Sequence, residues 1–377
     1  MRFPQIKGRV TRQAHVAVPE GTWEEEHARR GFFGRTSHLY HLRLPTGWTR
    51  IEGSLRPRCI DGARIQPADL VDPDGRPARV LWNDDAAVWI SRRSQPMPYF
   101  YRNADGDDVL FVHRGRGRVE TDYGPLPYEP GDYVWLPKGT TYRIVPAITD
   151  NFFLIVETHE FSWPDRGLLG QHAFIDPAIV QTPDPEPHDE RGEFELRVKR
   201  LGEYTSFFYP HHPLDVVGWK GDLAPVRFNV RDLRPVMSPR YHVAPTVHAT
   251  FFSERCTICT FVPRPFESDP EAQRVPFYHR NIDYDELLFY HAGEFFSRHG
   301  ITPGALTLHP QGIHHGPHPR AFEAAAAKTG TNEVAVLVET VAPLRVAPEA
   351  EKAEVPEYAT SWADGLREMG GAARGSR

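Results

Sequence analysis

The residues best suited to chemistry lie in the last third of the chain. His279 and Glu286 are followed by His315 in the run ITPGALTLHPQGIHHGPHP, and the pattern around them predicts neighbouring strands. Two imidazoles and one carboxylate are the ligand set of mononuclear non-haem iron(II) oxygenases, in which one face of the octahedron stays open for substrate and dioxygen. The working hypothesis is therefore an iron(II) site formed by these three residues.

An internal duplication covers the same stretch. The segment YFYRNADGDDVLFVHRGRG repeats FYHRNIDYDELLFYHAGEF almost position for position. Each half should therefore contain the same strand–turn–strand unit. The counterparts are Tyr101 and His279, Asn103 and Asn281, Asp108 and Glu286, His113 and His291, Gly115 and Gly293, then Gly131, Pro137, Gly139 and Tyr142 against Gly304, Pro310, Gly312 and His315. Because neutral tyrosine is a poor ligand for a divalent metal, the first copy is predicted to be metal-free and structural.

These spacings resemble the two cupin motifs. Glu286 and Gly293 match the end of the first motif, and the second motif, G-x5-P-x-G-x2-H, ends at His315. The resemblance implies an all-β bicupin of two small antiparallel jelly-roll barrels with few short helices. The expected domains are 1–165, a degenerate barrel with an N-terminal extension; 166–192, a linker; 193–345, the metal-binding barrel; and 346–377, a tail that is partly disordered.

The segment PLDVVGWKG, together with PFYHRN and HHGPHP, resembles the homogentisate 1,2-dioxygenases, which are iron enzymes that cleave aromatic rings. The likeness runs from Pro213 to Thr340. It implies that His279, Glu286 and His315 bind Fe(II). The family count between its histidine and its carboxylate matches Asp285, whereas the general cupin spacing to the glycine favours Glu286.

The same resemblance assigns roles around the metal. His242 falls where the family has a histidine that bonds the substrate phenol and acts as acid and base. His309 matches a family histidine that either supports a metal ligand or contacts the substrate, and it is the second candidate catalytic residue. His248 is a further candidate for substrate contact. His314 should point away from His315, and His291 should serve the fold, because His113 repeats it.

Substrate identity stays open at the sequence level. Ala292 and Phe295 stand where the family has an arginine and a tyrosine that contact substrate, which removes a bidentate carboxylate clamp. Arg298 could replace the lost guanidinium, and Phe295 and Tyr278 are further expected substrate contacts. Homogentisate or a related hydroquinone-type ring is the expected substrate.

The composition limits the classes of binding partner that are expected. The 377 residues have a net charge of −6 and no basic stripe, which argues against nucleic acid or an anionic membrane. The expected partners are an aromatic small molecule and O2, in a cytoplasmic homo-oligomer without a signal peptide. The three cysteines are too few for a disulfide framework, and Cys256 and Cys259 are predicted to be ordinary strand residues.

Local patterns predict several elements. A Thr cap, an acidic first turn and a Gly stop indicate a helix over Thr22–Gly31. The prolines before Arg191 indicate an extended linker. Other predictions are strands over Ser37–Leu44, Phe194–Lys199 and Asn332–Thr340 and a helix over Arg320–Lys328.

Two other functions fit the same motifs. One is a metal-dependent bicupin isomerase or decarboxylase, which would turn over without oxygen. The other is a non-catalytic bicupin that binds a small molecule, which would need no intact metal site.

Overall fold

The chain is built mainly from short strands separated by turns. The structure is a computed structural model that describes residues 5–295, 297–298 and 300–363. The strands are β1 Trp23–Ala28, β2 Thr36–His41, β3 Arg58–Asp61, β4 Ala78–Trp82, β5 Ala86–Ser91, β6 Phe100–Asn103, β7 Asp107–Arg114, β8 Gly117–Thr121, β9 Gly124–Tyr128, β10 Asp132–Leu136, β11 Thr141–Pro146, β12 Phe152–Thr158, β13 Arg191–Arg200, β14 Glu203–His211, β15 Val226–Asn229, β16 Ala249–Phe252, β17 Cys256–Phe261, β18 Arg264–Pro265, β19 Tyr278–Asn281, β20 Asp285–Ala292, β21 Ala305–His309, β22 Gly330–Thr331, β23 Val334–Thr340 and β24 Arg345–Val346.

Helices are few and short within the described residues. The α-helices are α1 Arg320–Ala326 and α2 Pro348–Lys352, and the 3-10 turns are Gly62–Arg64, Ala68–Leu70, Gly167–Leu169, Pro177–Ile179, Val230–Asp232, Pro245–His248 and Pro356–Thr360. None of the described helices has the length and apolar character needed to cross a membrane. The all-β bicupin fold predicted from the motifs is confirmed.

Four of the five sheets in the described residues make up the two barrels. The N-terminal barrel combines a sheet in the order β15-β10-β7-β12-β5-β4-β24 with one in the order β14-β13-β6-β11-β8-β9. The C-terminal barrel combines β16-β17-β23-β20-β21-β3 with β19-β1-β2, and β18-β22 is a two-stranded ribbon.

The barrels exchange strands in a matched way. β1 runs parallel to β19 and β3 pairs with β21, so both join the C-terminal barrel. In return, β13 runs parallel to β6 and β15 pairs with β10 of the N-terminal barrel. The segment that precedes each barrel in sequence therefore completes the other barrel, and the duplication extends beyond the repeated motifs. The predicted domain boundaries stay a prediction.

The barrel interface is the largest apolar core. Along β20, Leu287 and Phe289 belong to a cluster shared with Phe111 and Phe152 of the N-terminal barrel, whereas Leu288 faces the interior of its own barrel. Since successive strand side chains point to opposite faces, both faces of these strands are buried. Each such side chain contributes about 1.5–3 kcal/mol on burial.

The repeated glycine explains part of the motif spacing. Gly293 has φ +89°, and a Cβ there would lie 2.1 Å from the Asn332 carbonyl oxygen. Gly115 has φ +107°, and a Cβ there would lie 2.0 Å from Asn151 Oδ1. Only glycine fits this bend after the long strand in each barrel.

One predicted helix is wrong. Thr22–Gly31 contains β1, which lies between β19 and β2. Its acidic side chains bond to partners on both sides of the strand, Glu24 to His15 and Glu25 to His41. A helix would leave this acidic turn in water, so the tertiary partners override the capping pattern.

The other predicted elements agree with the structure. The strands β2, β13 and β23 and the helix α1 lie within or over the predicted segments, and the linker contains only two 3-10 turns. Cys256 and Cys259 are free, buried and part of β17. Residues 346–363 of the predicted tail are packed, because Trp362 and Tyr358 are buried, and residues 364–377 lie outside the described residues.

Candidate metal centre and its cavity

Three strands or strand-like segments bring the two histidines and the carboxylate together. His279 lies on β19 and Glu286 on β20, while His315 follows β21. The backbones of His279 and His315 exchange two N–H···O bonds of 2.9 Å, which sets their rings 3.9 Å apart. One ligand atom from each of the three residues lies within 4.8 Å of the others, and all three side chains are buried.

The donor atoms fit a divalent cation. Glu286 Oε2 lies 3.3 Å from His279 Nε2 and 3.4 Å from His315 Nε2. Adjacent ligands about 2.1 Å from a metal lie roughly 3 Å from one another, so a small contraction would suffice.

The other ring nitrogens support the same interpretation. Nδ1 of His279 lies 3.3 Å from the Phe277 carbonyl oxygen, and Nδ1 of His315 lies 3.4 Å from that of Ile313. Because a carbonyl only accepts, the Nδ1 atoms donate, which leaves both Nε2 lone pairs facing a carboxylate oxygen. Burial, followed by the charge of His279, lowers the pKa of His315 to about 3, so its ring is neutral. Lone pairs that converge in this way repel one another, and a cation between them would stabilise the arrangement.

A second buried carboxylate would also be stabilised by a cation at this position. Glu339 on β23 pairs with Glu286 across the sheet, and neither of its oxygens has a hydrogen-bond partner among the described residues. Burial and the charge of Glu286 raise its pKa to about 8. Glu157 holds the equivalent place in the other barrel, where it bonds the Lys199 ammonium. The C-terminal barrel has Ala28 at the position of Lys199, so it has no resident cation there.

The choice between neighbouring carboxylates is clear in the geometry. Asp285 accepts hydrogen bonds from the backbone N–H groups of Gln311 and Leu344, away from the histidines. Burial by itself would raise the pKa of Glu286, but the electrostatic effect of the surrounding imidazoles, that of His315 first, lowers that pKa well below its ordinary range. Glu286, not Asp285, lies with the two histidines.

His309 lies behind the carboxylate instead of facing the cavity. Its Nδ1 lies 3.0 Å from Glu286 Oε1 and its Nε2 lies 2.8 Å from the Tyr358 hydroxyl. Since a carboxylate only accepts, Nδ1 donates to Glu286, and the neutral ring accepts from Tyr358. Burial, partly offset by the hydrogen bond to Glu286, lowers the pKa of His309 to about 4. The ring therefore orients Glu286, a role for which sequence reasoning named His309 but not Tyr358.

A cavity opens beside the three ligands. Its apolar wall includes Phe32, Phe261, Phe277, Leu288 and Leu337, and its polar groups are His242, His248, Arg264, Arg298 and Glu333, next to His279 and Glu286. An aromatic ring would meet aliphatic and aromatic side chains here, while its polar substituents would meet imidazole and guanidinium groups.

His242 lies in the cavity with one nitrogen held. Its Nδ1 is 3.1 Å from Glu267 Oε1, so Nδ1 donates and Nε2 keeps its lone pair. Burial lowers the pKa of His242, although the Glu267 hydrogen bond opposes this effect. A neutral, oriented imidazole is suited to take a proton. Arg264 shares the same Glu267 oxygen at 3.3 Å.

His248 also lines the cavity, but its Nε2 is 2.9 Å from the Val236 carbonyl oxygen. Because this contact occupies Nε2, only Nδ1 of His248 is available to a ligand. Burial also lowers the pKa of His248 to about 4. Arg298 lines the cavity as well. Its guanidinium donates to the Gly316 carbonyl at 2.9 Å, while its buried Nε has no hydrogen-bond partner among the described residues.

Two expected substrate contacts lie elsewhere. Tyr278 is next to His279 on β19 and points to the opposite face, where it packs against Trp23 and Phe322. Phe295 packs 4.8 Å from the Tyr290 ring in the barrel core. Neither residue lines the cavity, because strand alternation and core packing place their rings outside it.

The remaining histidines have other partners. His314 lies 3.3 Å from Glu25, pointing away from the ligands as expected from its position next to His315. His291 and His113 share a hydrogen bond of 3.0 Å across the barrel interface. Asn281 accepts from the backbone of Gly31 and Asp283 and thus holds a turn.

Sequence reasoning missed several cavity residues. Arg264 and Glu267 are three residues apart in RPFE, a weak signal that could have suggested an ion pair. Glu333, whose pKa burial raises to about 7, directly precedes the apolar run of β23. Phe32 comes from the N-terminal extension, and no local pattern connects it with a site some 250 residues later.

Comparisons with known proteins give a consistent result. Two family models match: Homogentisate 1,2-dioxygenase N-terminal over residues 79–230 and Homogentisate 1,2-dioxygenase C-terminal over residues 242–369. A protein of Saccharolobus solfataricus, provisionally named a dioxygenase, is 32% identical over 96% of this chain and 99% of its own. The homogentisate 1,2-dioxygenase of Bradyrhizobium diazoefficiens is 30% identical over 74% of this chain and 65% of its own length, so this chain spans just under two thirds of that relative. A solved cupin 2 protein from Leptotrichia buccalis covers 75% of this chain and 96% of its own at 9% identity, with a TM-score of 0.37.

Proposed function

Because the chain belongs to the homogentisate 1,2-dioxygenase family, we propose that it is an Fe(II)-dependent, extradiol-type dioxygenase that opens homogentisate or a related hydroquinone-type ring. The observation that supports this most strongly is the set of three converging donor atoms of His279, Glu286 and His315, two of which, His279 and Glu286, line a partly aromatic cavity. Family membership supports a dioxygenase. The identity of the metal as iron, the class of aromatic ring and the roles of the individual residues are parts of this proposal.

The metal would be held by His279 Nε2, His315 Nε2 and a Glu286 oxygen. When bound, Fe(II) supplies the one-electron chemistry that lets a phenolic ring react with dioxygen. Three protein ligands leave coordination positions for substrate and O2, since Asn281 stands where many metal-binding cupins have a fourth ligand.

The surrounding side chains prepare the ring. His242 takes the phenolic proton at Nε2, because Glu267 holds its Nδ1–H. Arg264 and Arg298 offer positive charge to an acidic substituent, in place of the arginine and tyrosine that Ala292 and Phe295 replace. Phe277 and Leu288 shield the ring from water.

The test is anaerobic loading of the full chain with Fe(II), followed by an oxygen-electrode screen of homogentisate, gentisate and substituted hydroquinones. We expect iron-dependent uptake of O2 with at least one of them. We also expect a loss of about 10³-fold or more in His315→Ala. His314→Ala is the matched control, since it removes the adjacent imidazole from the opposite face and should keep most of the activity.

The screen also separates the two other functions. Turnover of a substrate without oxygen would favour a metal-dependent isomerase or decarboxylase. Failure of the chain to take up any divalent metal would favour a non-catalytic binding protein, and either result would contradict the proposal.

A further inference from the structure

The N-terminal barrel has its own cavity at the place that corresponds to the metal centre. Tyr101, Asp108 and Tyr142, which are the counterparts of His279, Glu286 and His315, line it. The replacement of both imidazoles by phenols removes the metal ligands but leaves the cavity and its polar groups in place.

In this barrel, a lysine ammonium provides the positive charge beside the buried carboxylates. Lys199 comes from the exchanged strand β13, is buried, bonds Glu157 and lies 3.5 Å from Asp105 Oδ2. Asp108 in turn accepts from Asn103 Nδ2 at 2.9 Å and from the Tyr142 hydroxyl at 3.2 Å. The buried acids are therefore satisfied within the protein, and the cavity needs no metal ion.

The lining carries more positive than negative charge. Its bases are Arg76, Arg93, Arg197 and Lys199, four residues, and its acids are Asp69, Asp108 and Glu157, three residues. Burial and the charge of Glu157 raise the pKa of Asp108 to about 7, which lowers the negative charge near neutral pH. This surplus of positive charge favours a ligand that carries an anionic group.

Two donors in the lining are available to such a group. The Tyr101 hydroxyl lines the cavity without a hydrogen-bond partner among the described residues. The Arg76 guanidinium lies 4.2 Å from the centre of the Tyr204 ring and hydrogen-bonds the Tyr204 side chain, and it forms no ion pair with a carboxylate in the described part of the chain. A phenol and a guanidinium together suit a carboxylate.

The rest of the cavity is apolar or aromatic. Met97, Ile144 and Ile155 line it together with the Trp89 ring, whose Nε1 donates to Glu157 at 3.1 Å. A flat hydrocarbon ring would bury apolar surface against these side chains. The cavity thus combines an apolar wall with one cationic and phenolic region.

We propose that the N-terminal barrel is a second, metal-independent ligand site that binds a small aromatic carboxylate, with Arg76 and Tyr101 holding the carboxylate group. This site does not depend on the proposed dioxygenase activity. It also assigns a role to the barrel that lacks the metal ligands.

Isothermal titration of the metal-free full chain with phenylacetate tests the site, and 2-phenylethanol serves as the uncharged comparison. We expect phenylacetate to bind and 2-phenylethanol to bind at least about tenfold more weakly. Arg76→Ala and Tyr101→Phe should each weaken phenylacetate binding about tenfold. Both changes are mild for folding, because Arg76 is exposed and Tyr101 loses only a hydroxyl.

The controls decide which cavity is occupied. Arg79→Ala removes an exposed arginine that lies 4.3 Å from the Trp82 ring and 5.7 Å from the Trp89 ring without lining the cavity itself, and it should leave the preference for phenylacetate over 2-phenylethanol unchanged. The proposal is overturned if wild-type protein shows no heat of binding up to about 10 mM phenylacetate. It is equally overturned if Arg298→Ala abolishes binding while Arg76→Ala and Tyr101→Phe do not, since the ligand would then lie in the C-terminal barrel.

Discussion

At the scale of single residues, the metal centre depends on one carboxylate having the correct neighbours. Asp285 and Glu286 are adjacent and both buried, yet only Glu286 faces three imidazoles. Asp285 is occupied by backbone N–H groups. The strand alternation that separates them also places His314 and His315 on opposite faces. A shift of one residue along the chain is therefore enough to change a ligand into a structural group.

We expect His309→Phe to weaken metal binding about 10- to 100-fold, because it removes the N–H that fixes Glu286. The apo protein should stay folded, since phenylalanine fills the same buried space. Competition with a chelator measures the affinity, and oxygen uptake measures the activity.

Tyr358→Phe is the graded comparison for His309→Phe. It keeps the imidazole and loses only the hydroxyl that bonds His309 Nε2, so its effect should be smaller and in the same direction. Unchanged metal affinity in His309→Phe would show that His309 does not position the carboxylate.

At the scale of elements, β1 is held by charges. Glu25 has a fully buried side chain and forms ion pairs with His41 at 2.6 Å, Arg280 at 3.2 Å and His314 at 3.3 Å. Although burial opposes ionisation, these partners lower its pKa to about 2. Since β1 lies beside β19, this cluster holds the strand that carries His279.

Glu25→Gln should lower the free energy of unfolding by about 2 kcal/mol or more, because three cationic or polar partners lose their acceptor. The sign of the pH effect follows from the lowered pKa. The stabilisation is present above the unfolded value near 4.5 and is lost as the pH falls towards 2.

Urea unfolding at neutral and acidic pH measures both effects of Glu25→Gln. Glu20→Gln, at an exposed position, is the control and should match the wild type. An equal stability of Glu25→Gln and wild type near pH 7 would contradict a stabilising role for the cluster.

At the scale of the whole molecule, the two barrels depend on each other for strands and for core. β3 and β15 complete the sheets of opposite barrels, and β24 near the end of the described chain joins the N-terminal one. The sheets then pack face to face through Phe111, Phe152 and Phe289. Folding of either barrel alone would leave sheet edges and apolar faces in water.

Fragments 1–165 and 166–377 should therefore be unstable when expressed singly and should associate when expressed together. Solubility, circular dichroism and co-purification of a tag on one fragment measure this outcome. A cooperatively folded, monomeric fragment 1–165 would show that the exchanged strands are dispensable.

The paired histidines of the barrel interface make stability sensitive to acid. Burial, then the charge of His291, lowers the pKa of His113 to about 3, and burial lowers that of His291 to about 4. Unfolded histidine binds a proton near pH 6.5, so the unfolded state holds more protons below that value. The free energy of unfolding should consequently fall as the pH decreases from about 6.5 to about 4.

Denaturant midpoints of the metal-free protein at about pH 7.5 and about pH 5 measure this loss. The double variant His113→Leu with His291→Leu should lose less stability over the same interval, whereas His172→Ala, at an exposed site, should behave like the wild type. A loss of the same size in the double variant would place the sensitivity elsewhere.

Residue types and spacing were enough to predict the duplication, the all-β class and the three residues that converge in the candidate metal centre. These features depend on residue type and on spacing along strands, both of which are local. The sequence also predicted a helix over Thr22–Gly31 and substrate contacts at Tyr278 and Phe295, and the structure places these differently.

Those differences depend on the three-dimensional structure, as do the strand exchange and the approach of Phe32, Arg264 and Tyr358 to the site. The physical reason is that the energy of a buried carboxylate or ring depends on partners distant in sequence. Glu24 and Glu25 lie in a strand because His15, His41 and Arg280 pair with them there. Lys199 pairs with the buried Glu157 because the exchanged strand β13 brings it into the N-terminal barrel.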